Sequence, residues 1–334
     1  MAKRTVDTYF SSTPKKTRTD PLTQGRAEND PPTKSVIKTT DHPTYPWPIS
    51  HLPIHIVSEI ELLVTAQAKE IKDQQHLDLL YFQPFIPKSI DKELFEFLRS
   101  ELFFYRVKYA IKRFGKETLI NTPRFTTVFG IDGTSRFEDD NDGLRIVAAA
   151  DPSNKTVRRD KYKCKPRPIP ECLDLLRRVT EARTNAKYNF CLVNYYASGN
   201  DSISFHSDDE RFLGPEPAIA SFTLGAKRDF LMKHKPPMEG EPKLETKDIK
   251  LPLASGDMIL MRGLTQSNWM HSIPKRKGGE ADRGRINITL RRALTPAGTE
   301  NYYRYNVGEG GAYKWSSSKR QMIPWSPRAD HVGQ

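Results

Sequence analysis

Cysteine is scarce: Cys164, Cys172 and Cys191 are the only three in 334 residues, an odd number without Cys-x-x-Cys spacing. No disulfide framework and no thiolate zinc site follow from them. Long apolar runs are missing too. Nothing approaches the roughly 18 apolar residues that read as a membrane span, and the N-terminus is polar, unlike a signal peptide. A soluble, intracellular protein is expected.

Proline and positive charge, by contrast, are plentiful. The 25 prolines mark much irregular structure in a chain long enough for one large or two modest domains. The formal net charge is +12, and residues 1–50, with eight Lys or Arg against five Asp or Glu, account for only +3 of it. A basic folded part favours a polyanionic partner through phosphate contacts and counterion release. That is a lean toward nucleic acid, shared by many basic proteins that bind none.

Residues 1–50 contain seven of the prolines, and their polar composition predicts a disordered tail. A peripheral helical segment is expected over 51–80, from the spacing of Ile56, Ile60, Leu63 and Val64. Ile90, Leu94, Phe97, Leu98 and Leu102 predict a core helix from Ser89 to Phe104 with Ser89 as N-cap, and Cys172, Leu175, Leu176 and Val179 predict another after Pro170. Short apolar-rich runs then read as eight strands: 191–196, 203–208, 218–224, 228–234, 249–253, 257–263, 268–274 and 285–292. Helices followed by such strands suit an α+β protein built on a double-sheet jelly roll with flanking helices. The acidic stretch Glu138–Gly143 and the charged segment Pro236–Lys247 are expected to be surface loops.

Two of these strands carry chemistry. Alternation along a strand points His206 and Asp208 the same way, able to grip one ion, with His271 as a third ligand. Two histidines and a carboxylate on one face of a metal leave open positions opposite, as in non-haem Fe(II) oxygenases. In Arg285-Ile286-Asn287-Ile288-Thr289-Leu290-Arg291 the same alternation makes one face polar and the other apolar. An arginine pointing into a sheet interior is costly unless a carboxylate meets its guanidinium, and a dicarboxylic acid would satisfy that demand.

Taken in order, Asn194-Tyr195-Tyr196, His206-Ser207-Asp208-Asp209-Glu210-Arg211, Ser221–Gly225, Arg228-Asp229-Phe230, Gly256-Asp257, Trp269–Ser272 and the closing arginine strand form a specific set. The chain thereby resembles, from about Phe82 to Arg292, the AlkB family of Fe(II)- and 2-oxoglutarate-dependent nucleic-acid demethylases, its eukaryotic DNA-repair branch in particular. The resemblance implies a double-stranded β-helix, with a dioxygenase domain over 81–334. Within it, nucleotide-recognition elements would fill about 81–190 and the jelly-roll core about 191–292. It implies Fe(II) on His206, Asp208 and His271. For 2-oxoglutarate it implies Arg285 on the distal carboxylate, Arg291 near the metal-bound end, Asn194 and Tyr196 as hydrogen-bond donors, and Asn287 beside them.

For a substrate, the resemblance implies N-alkylated bases in DNA, 1-methyladenine and 3-methylcytosine, restored with release of formaldehyde, succinate and carbon dioxide. A duplex base must be flipped out to be reached. Phe114, in Phe114-Gly115-Lys116, resembles the wedge of an intercalating hairpin; the competing reading is a core aromatic. Glu210 occupies the family's base-reading position and Tyr162 is the candidate stacking aromatic. Arg124, Lys233, Lys235, Lys275, Arg276 and Lys277 are candidate phosphate contacts, each equally readable as solvated charge. In the tail, Val6, Tyr9 and Phe10 have the spacing of a box that binds the sliding clamp PCNA, though Lys3 stands where glutamine is usual, and Lys15-Lys16-Thr17-Arg18 suits nuclear import. The expectation is a nuclear, monomeric enzyme. RNA or a protein side chain as substrate, a zinc site on the same ligands, and a non-catalytic nucleic-acid or clamp-binding module are the other readings.

Overall fold

In this computed structural model the described residues are 39–62, 67–113, 115–140, 143–153, 155–237, 244–308 and 310–327. Val6, Tyr9, Phe10, Lys15–Arg18 and Phe114 lie outside them.

Arg285–Arg291 is the strand around which the rest is arranged. It runs antiparallel to Phe190–Tyr196 on one side and to Ile219–Gly225 on the other. Together with seven more strands these make a ten-stranded sheet, in the order Gln321–Pro324, Ala312–Ser316, Phe104–Tyr105, Phe125–Gly130, Phe190–Tyr196, Arg285–Arg291, Ile219–Gly225, Met258–Met261, Leu79–Phe82 and Ala68–Ile71. A four-stranded sheet, Ile203–His206, Trp269–Ile273, Arg228–His234 and Ile249–Leu253, lies across a shared cavity from it. All eight expected strands are present, four in each sheet, with ends within a few residues of those anticipated. This is the α+β jelly-roll architecture.

The period-2 pattern explains why the large sheet is covered on both faces. Cys191, Val193 and Tyr195, with Ile286, Ile288 and Leu290, point to a core shared with the helices Ile54–Glu61, Asp91–Glu101 and Glu171–Thr184. The alternate residues Phe190, Leu192 and Tyr196 join Ile219, Ile259 and Met261 on the inner face, opposite Phe230, Met232, Trp269 and Ile273 of the small sheet. The polar face of Arg285–Arg291 is therefore turned inward, between the sheets.

Several expectations need correction. Residues 51–80 are not one helical segment: the helix ends at Glu61, and Ala68–Ile71 and Leu79–Phe82 are strands. The apolar run Leu79–Phe82 pairs along Met258–Met261, and Ala68–Ile71 pairs with it in turn as the edge of the large sheet. Nor is the tail irregular throughout. Tyr45 and Ile49 are buried, the Tyr45 hydroxyl donates to Pro168 O at 2.6 Å, and the Trp47 indole N–H donates to Glu101 O at 2.9 Å. The core helix starts at Asp91 with Ile90 as its N-cap, while Ser89 Oγ donates instead to Glu59 at 3.2 Å.

Of the expected loop Glu138–Gly143, the described residues 138–140 and 143 are not loop but strand, in the pair Ser135–Asp140 against Gly143–Ala148, where cross-strand neighbours Glu138 and Arg145 form a 3.0 Å ion pair. The C-terminal helix Pro296–Asn306 and the hairpin after it were not anticipated as elements.

Ile288 sits on the apolar side of the central strand, fully buried and directly behind the polar row. Ile288→Ala is expected to lower the unfolding free energy by about 2–5 kcal/mol and Ile288→Val by about 0.5–1.5 kcal/mol, measured by urea denaturation.

Candidate active site

The three candidate metal ligands converge. His206, the last residue of its strand, is the direct cross-strand partner of His271, with ring centroids 4.2 Å apart. Asp208 lies two residues past the strand end rather than within it, so strand alternation is not what aims it. Its backbone N–H donates to the Gln266 side-chain oxygen at 2.9 Å, which fixes the turn that brings its carboxylate back toward the histidines. One ligand atom from each residue can be chosen so that all three lie within 4.8 Å of one another.

The donor atoms are prepared for a cation. The Ser204 carbonyl accepts the His206 Nδ1 proton at 2.8 Å, which leaves Nε2 as the free lone pair. Burial, then the neighbouring His206, pushes the His271 pKa down to about 3, and burial lowers that of His206. Both rings are thus neutral donors at physiological pH. Burial alone would raise the Asp208 pKa, but Arg291 and the two histidines outweigh it and hold the carboxyl below the usual range. Arg291 Nη2 donates to Asp208 Oδ2 at 2.8 Å, so this arginine orients a metal ligand as well as lining the cavity.

The cavity beside these ligands has a volume of about 260 Å³ and lies between the two sheets. Arg285 reaches into it from the far end of the central strand. Its side chain is 1 % exposed; Nη2 donates to Thr223 Oγ1 at 2.8 Å, while Nε and Nη1 have no partner. Among the described residues no carboxylate meets it, and burial pushes its pKa down to about 10. A buried cation without a counter-ion costs several kcal/mol. A carboxylate supplied by a ligand would remove that cost, and guanidinium matches it in two hydrogen bonds.

Asn287, next on the same face, donates to Ser221 Oγ and Phe222 O at 2.8 Å each, and accepts from Asn194 Nδ2 at 3.4 Å. Tyr196 is the cross-strand partner of Arg285, whose guanidinium sits 5.2 Å from the Tyr196 ring centroid. The polar face expected from alternation is therefore assembled along one wall, with the metal ligands at the opposite end from Arg285.

The substrate candidates divide. Glu210 lines the cavity with Oε2 buried and unpartnered; burial and then Asp208 raise its pKa. Arg124 also lines it and donates from Nε to Asn194 Oδ1 at 2.8 Å. Lys233 lies 4.3 Å over the Phe205 ring, Lys235 pairs with Asp209, and Arg276 sits 3.7 Å from Asp229. Lys275 and Lys277 are exposed. None of these four lysines, nor Arg276, lines the cavity.

Tyr162 is misplaced by the sequence reading: its hydroxyl donates to Asp132 Oδ2 at 2.6 Å, and it borders a separate cleft of about 650 Å³ with Arg159, Lys165 and Arg167. A hydrogen bond to a buried carboxylate has locked it into the framework. For the finger, strands Lys108–Arg113 and Lys116–Asn121 do form a hairpin, with Arg113 opposite Lys116.

Sequence reasoning missed the wall made by Asn301, Tyr302, Tyr305 and Asn306 of the C-terminal helix. The one local signal was Thr295-Pro296, a β-region N-cap residue followed by proline in the first turn.

Three convergent donors of the two-histidine, one-carboxylate kind, facing a buried guanidinium that lacks its anion, define a non-haem Fe(II) oxygenase that uses a diacid. The chain belongs to the 2OG-Fe(II) oxygenase superfamily, whose profile matches residues 78–291, and within it is of the AlkB type. The DNA oxidative demethylase ALKBH2 of Homo sapiens is 39% identical over 129 residues, 39% of this chain and 49% of that protein. The DNA oxidative demethylase ALKBH2 of Arabidopsis thaliana is 30% identical over 232 residues, 65% of this chain and 67% of that protein. The alpha-ketoglutarate-dependent dioxygenase alkB homolog 3 of Mus musculus is 39% identical over 112 residues, covering 33% and 38%. The chain thus spans about half the length of the human relative. Among the described residues no helix is long and apolar enough to cross a membrane.

Fe(II) and 2-oxoglutarate fit what these residues leave open: three neutral or anionic donors for the ion, and the unpaired Arg285 nitrogens for a carboxylate. Asp208→Asn would remove the anionic ligand and leave Arg291 facing a neutral amide. One divalent ion per chain is expected to bind the native protein and none the variant, measured by calorimetric titration with Fe(II) under nitrogen; a variant that binds normally would remove Asp208 from the ligand set.

Proposed function

We propose that this chain is a nucleic-acid oxidative demethylase that restores N-methylated bases, 1-methyladenine and 3-methylcytosine, in DNA by direct reversal. The observation that carries the reading is the half-buried Glu210, which lines the metal cavity and whose Oε2 is buried without a hydrogen-bond partner among the described residues. Methylation at those ring nitrogens makes the base a cation, and a carboxylate within a cavity favours a cation over its neutral parent. The basic folded part and the named activities of the ALKBH2 relatives point the same way.

In this reading each residue has a task. His206, Asp208 and His271 would hold Fe(II), which with 2-oxoglutarate and oxygen supplies the oxidation of the N-methyl to an N-hydroxymethyl group, leaving succinate and carbon dioxide. Arg285 binds the distal carboxylate of 2-oxoglutarate, and Asn194, Tyr196 and Asn287 line its path. Arg291 holds Asp208 in place and lends positive charge to the metal end. Phe230, stacked on His271 at 5.3 Å, and Leu192 keep bulk water from the inner wall. On the hydroxymethylated base the C–N bond then breaks. Its electron pair remains on the ring nitrogen and cancels the ring charge, the hydroxyl proton passes to water, and formaldehyde departs.

Arg124 at the cavity rim, and Lys233, Lys235, Lys275, Arg276 and Lys277 outside it, are proposed to meet backbone phosphates. Duplex DNA is the proposed substrate form, with Phe114 as the wedge. Val6, Tyr9 and Phe10 are proposed to dock on PCNA, and a monomer in the nucleus is the corresponding setting. Supporting these are the hairpin register and the tail spacing alone.

Full-length protein with Fe(II), ascorbate and 2-oxoglutarate is expected to release formaldehyde from DNA oligonucleotides carrying 3-methylcytosine, faster from duplex than from RNA of the same sequence. His206→Ala should abolish the release. No formaldehyde from any methylated nucleic acid, with turnover on a methylated peptide instead, would overturn the proposal.

A further inference from the structure

The family profile ends at Arg291, yet the cavity it encloses is closed by residues beyond it. The helix Pro296–Asn306 is fastened at several points along its length. Thr299 Oγ1 donates to Asp132 at 3.1 Å, Glu300 accepts the Cys164 backbone N–H at 3.2 Å, and Tyr303 OH accepts the Arg167 N–H at 2.6 Å. At its C-terminal end the Asn306 carbonyl accepts from Thr126 Oγ1 at 2.5 Å. Gly298 lets the helix approach closely, since a Cβ there would lie 2.5 Å from Phe212. This is a fixed wall.

Tyr302 is the residue that this wall presents. Its ring stacks on Phe190 with centroids 4.6 Å apart and an interplanar angle of 28°, and meets Phe212 edge-on at 5.4 Å. The side chain is 4 % exposed, lines the metal cavity, and its hydroxyl has no hydrogen-bond partner among the described residues. Nearby charges are Arg291, Glu210 and Asp208. Among the described residues lining this cavity, the buried unpartnered side-chain atoms belong to Arg285, Arg291, Glu210 and Tyr302. The two guanidiniums sit on the wall that receives the diacid and beside the metal ligand. That leaves a hydroxyl donor, on a ring held by Phe190 and Phe212, and a carboxylate oxygen, both without a partner among the described residues.

We infer that Tyr302 reads the target base: its hydroxyl donates to an acceptor atom on the base while Glu210 accepts from the exocyclic amino group. This rests on the demethylase reading above and deepens it. A cytosine methylated at N3 offers an amino group and a carbonyl on one ring, and an adenine methylated at N1 offers an amino group and a ring nitrogen. A thymine methylated at N3 has carbonyls only, so it can satisfy Tyr302 but not Glu210. The pair therefore selects amino-bearing bases. Because a buried donor left unpaired is penalised, such a site also discriminates against an abasic or empty state.

Tyr302→Phe keeps both ring contacts and removes only the hydroxyl, and a melting curve close to that of the native protein is expected. Binding is read by fluorescence anisotropy with iron-free protein and an oligonucleotide carrying one 3-methylcytosine. The variant is expected to bind about tenfold more weakly, the value of one hydrogen bond. Affinity for the unmethylated oligonucleotide and the KM for 2-oxoglutarate should not change, and Tyr302→His, which restores a donor, should recover part of the loss.

Unchanged affinity for the methylated oligonucleotide, or a raised KM for 2-oxoglutarate in its place, overturns the inference while the demethylase reading stands. If native protein binds methylated and unmethylated oligonucleotides alike and releases no formaldehyde, both fall together.

Discussion

A guanidinium buried between two sheets, with no carboxylate in reach among the described residues, is the constraint on which the rest of this structure turns. Arg285 is among the largest fully buried side chains, and two of its nitrogens are unpartnered. Ordinary folding does not tolerate such a group, because desolvating an unpaired charge costs more than its packing returns. It persists here because the surrounding framework holds it: ladders of seven residue pairs on one flank of the central strand and six on the other, and an apolar face that is buried without exception. The stability of the sheet is spent on keeping one cavity polar and short of an anion.

The metal end shows the opposite balance. Arg291, at the other end of the same strand face, is paired with Asp208, and that carboxylate also faces His271 at 3.9 Å. One strand thus supplies both a cation that meets no carboxylate among the described residues and one whose Nη2 is paired with a metal donor. Their separation along the strand, six residues or about 20 Å of contour at the usual rise, runs along the wall that carries Asn287 and Thr289 between them. Helix Pro296–Asn306 closes the remaining side, so the cavity has walls from both sheets and from a helix outside the family core.

Much of this was legible in the sequence because strand periodicity is strict. The polar row of Arg285, Asn287, Thr289 and Arg291 and the apolar row of Ile286, Ile288 and Leu290 follow from alternation alone, and the eight jelly-roll strands from their turn-bounded apolar runs. Asp208 does converge with the two histidines, but not by the strand alternation expected: it lies beyond the strand, placed by a hydrogen bond to Gln266, 58 residues away in sequence. Tyr162 failed for a related reason. Nothing local distinguishes an aromatic that faces a cavity from one whose hydroxyl is tied to Asp132. Residues 51–80 misled because Ile56 and Ile60 have genuine helical spacing, whereas Leu79–Phe82 is a strand only through its pairing with Met258–Met261. The Tyr302 wall was illegible because its helix is defined by tertiary fastening more than by its own periodicity.

The most direct measurement is a calorimetric titration of the Fe(II)-loaded protein under nitrogen with 2-oxoglutarate and, separately, with 2-oxobutyrate. The second compound keeps the keto-acid end and lacks the distal carboxylate. Leaving Arg285 unpaired should cost on the order of 3 kcal/mol, so 2-oxoglutarate is expected to bind about a hundredfold more tightly. Equal affinities would mean that Arg285 does not receive a carboxylate, and the buried guanidinium would have lost its explanation.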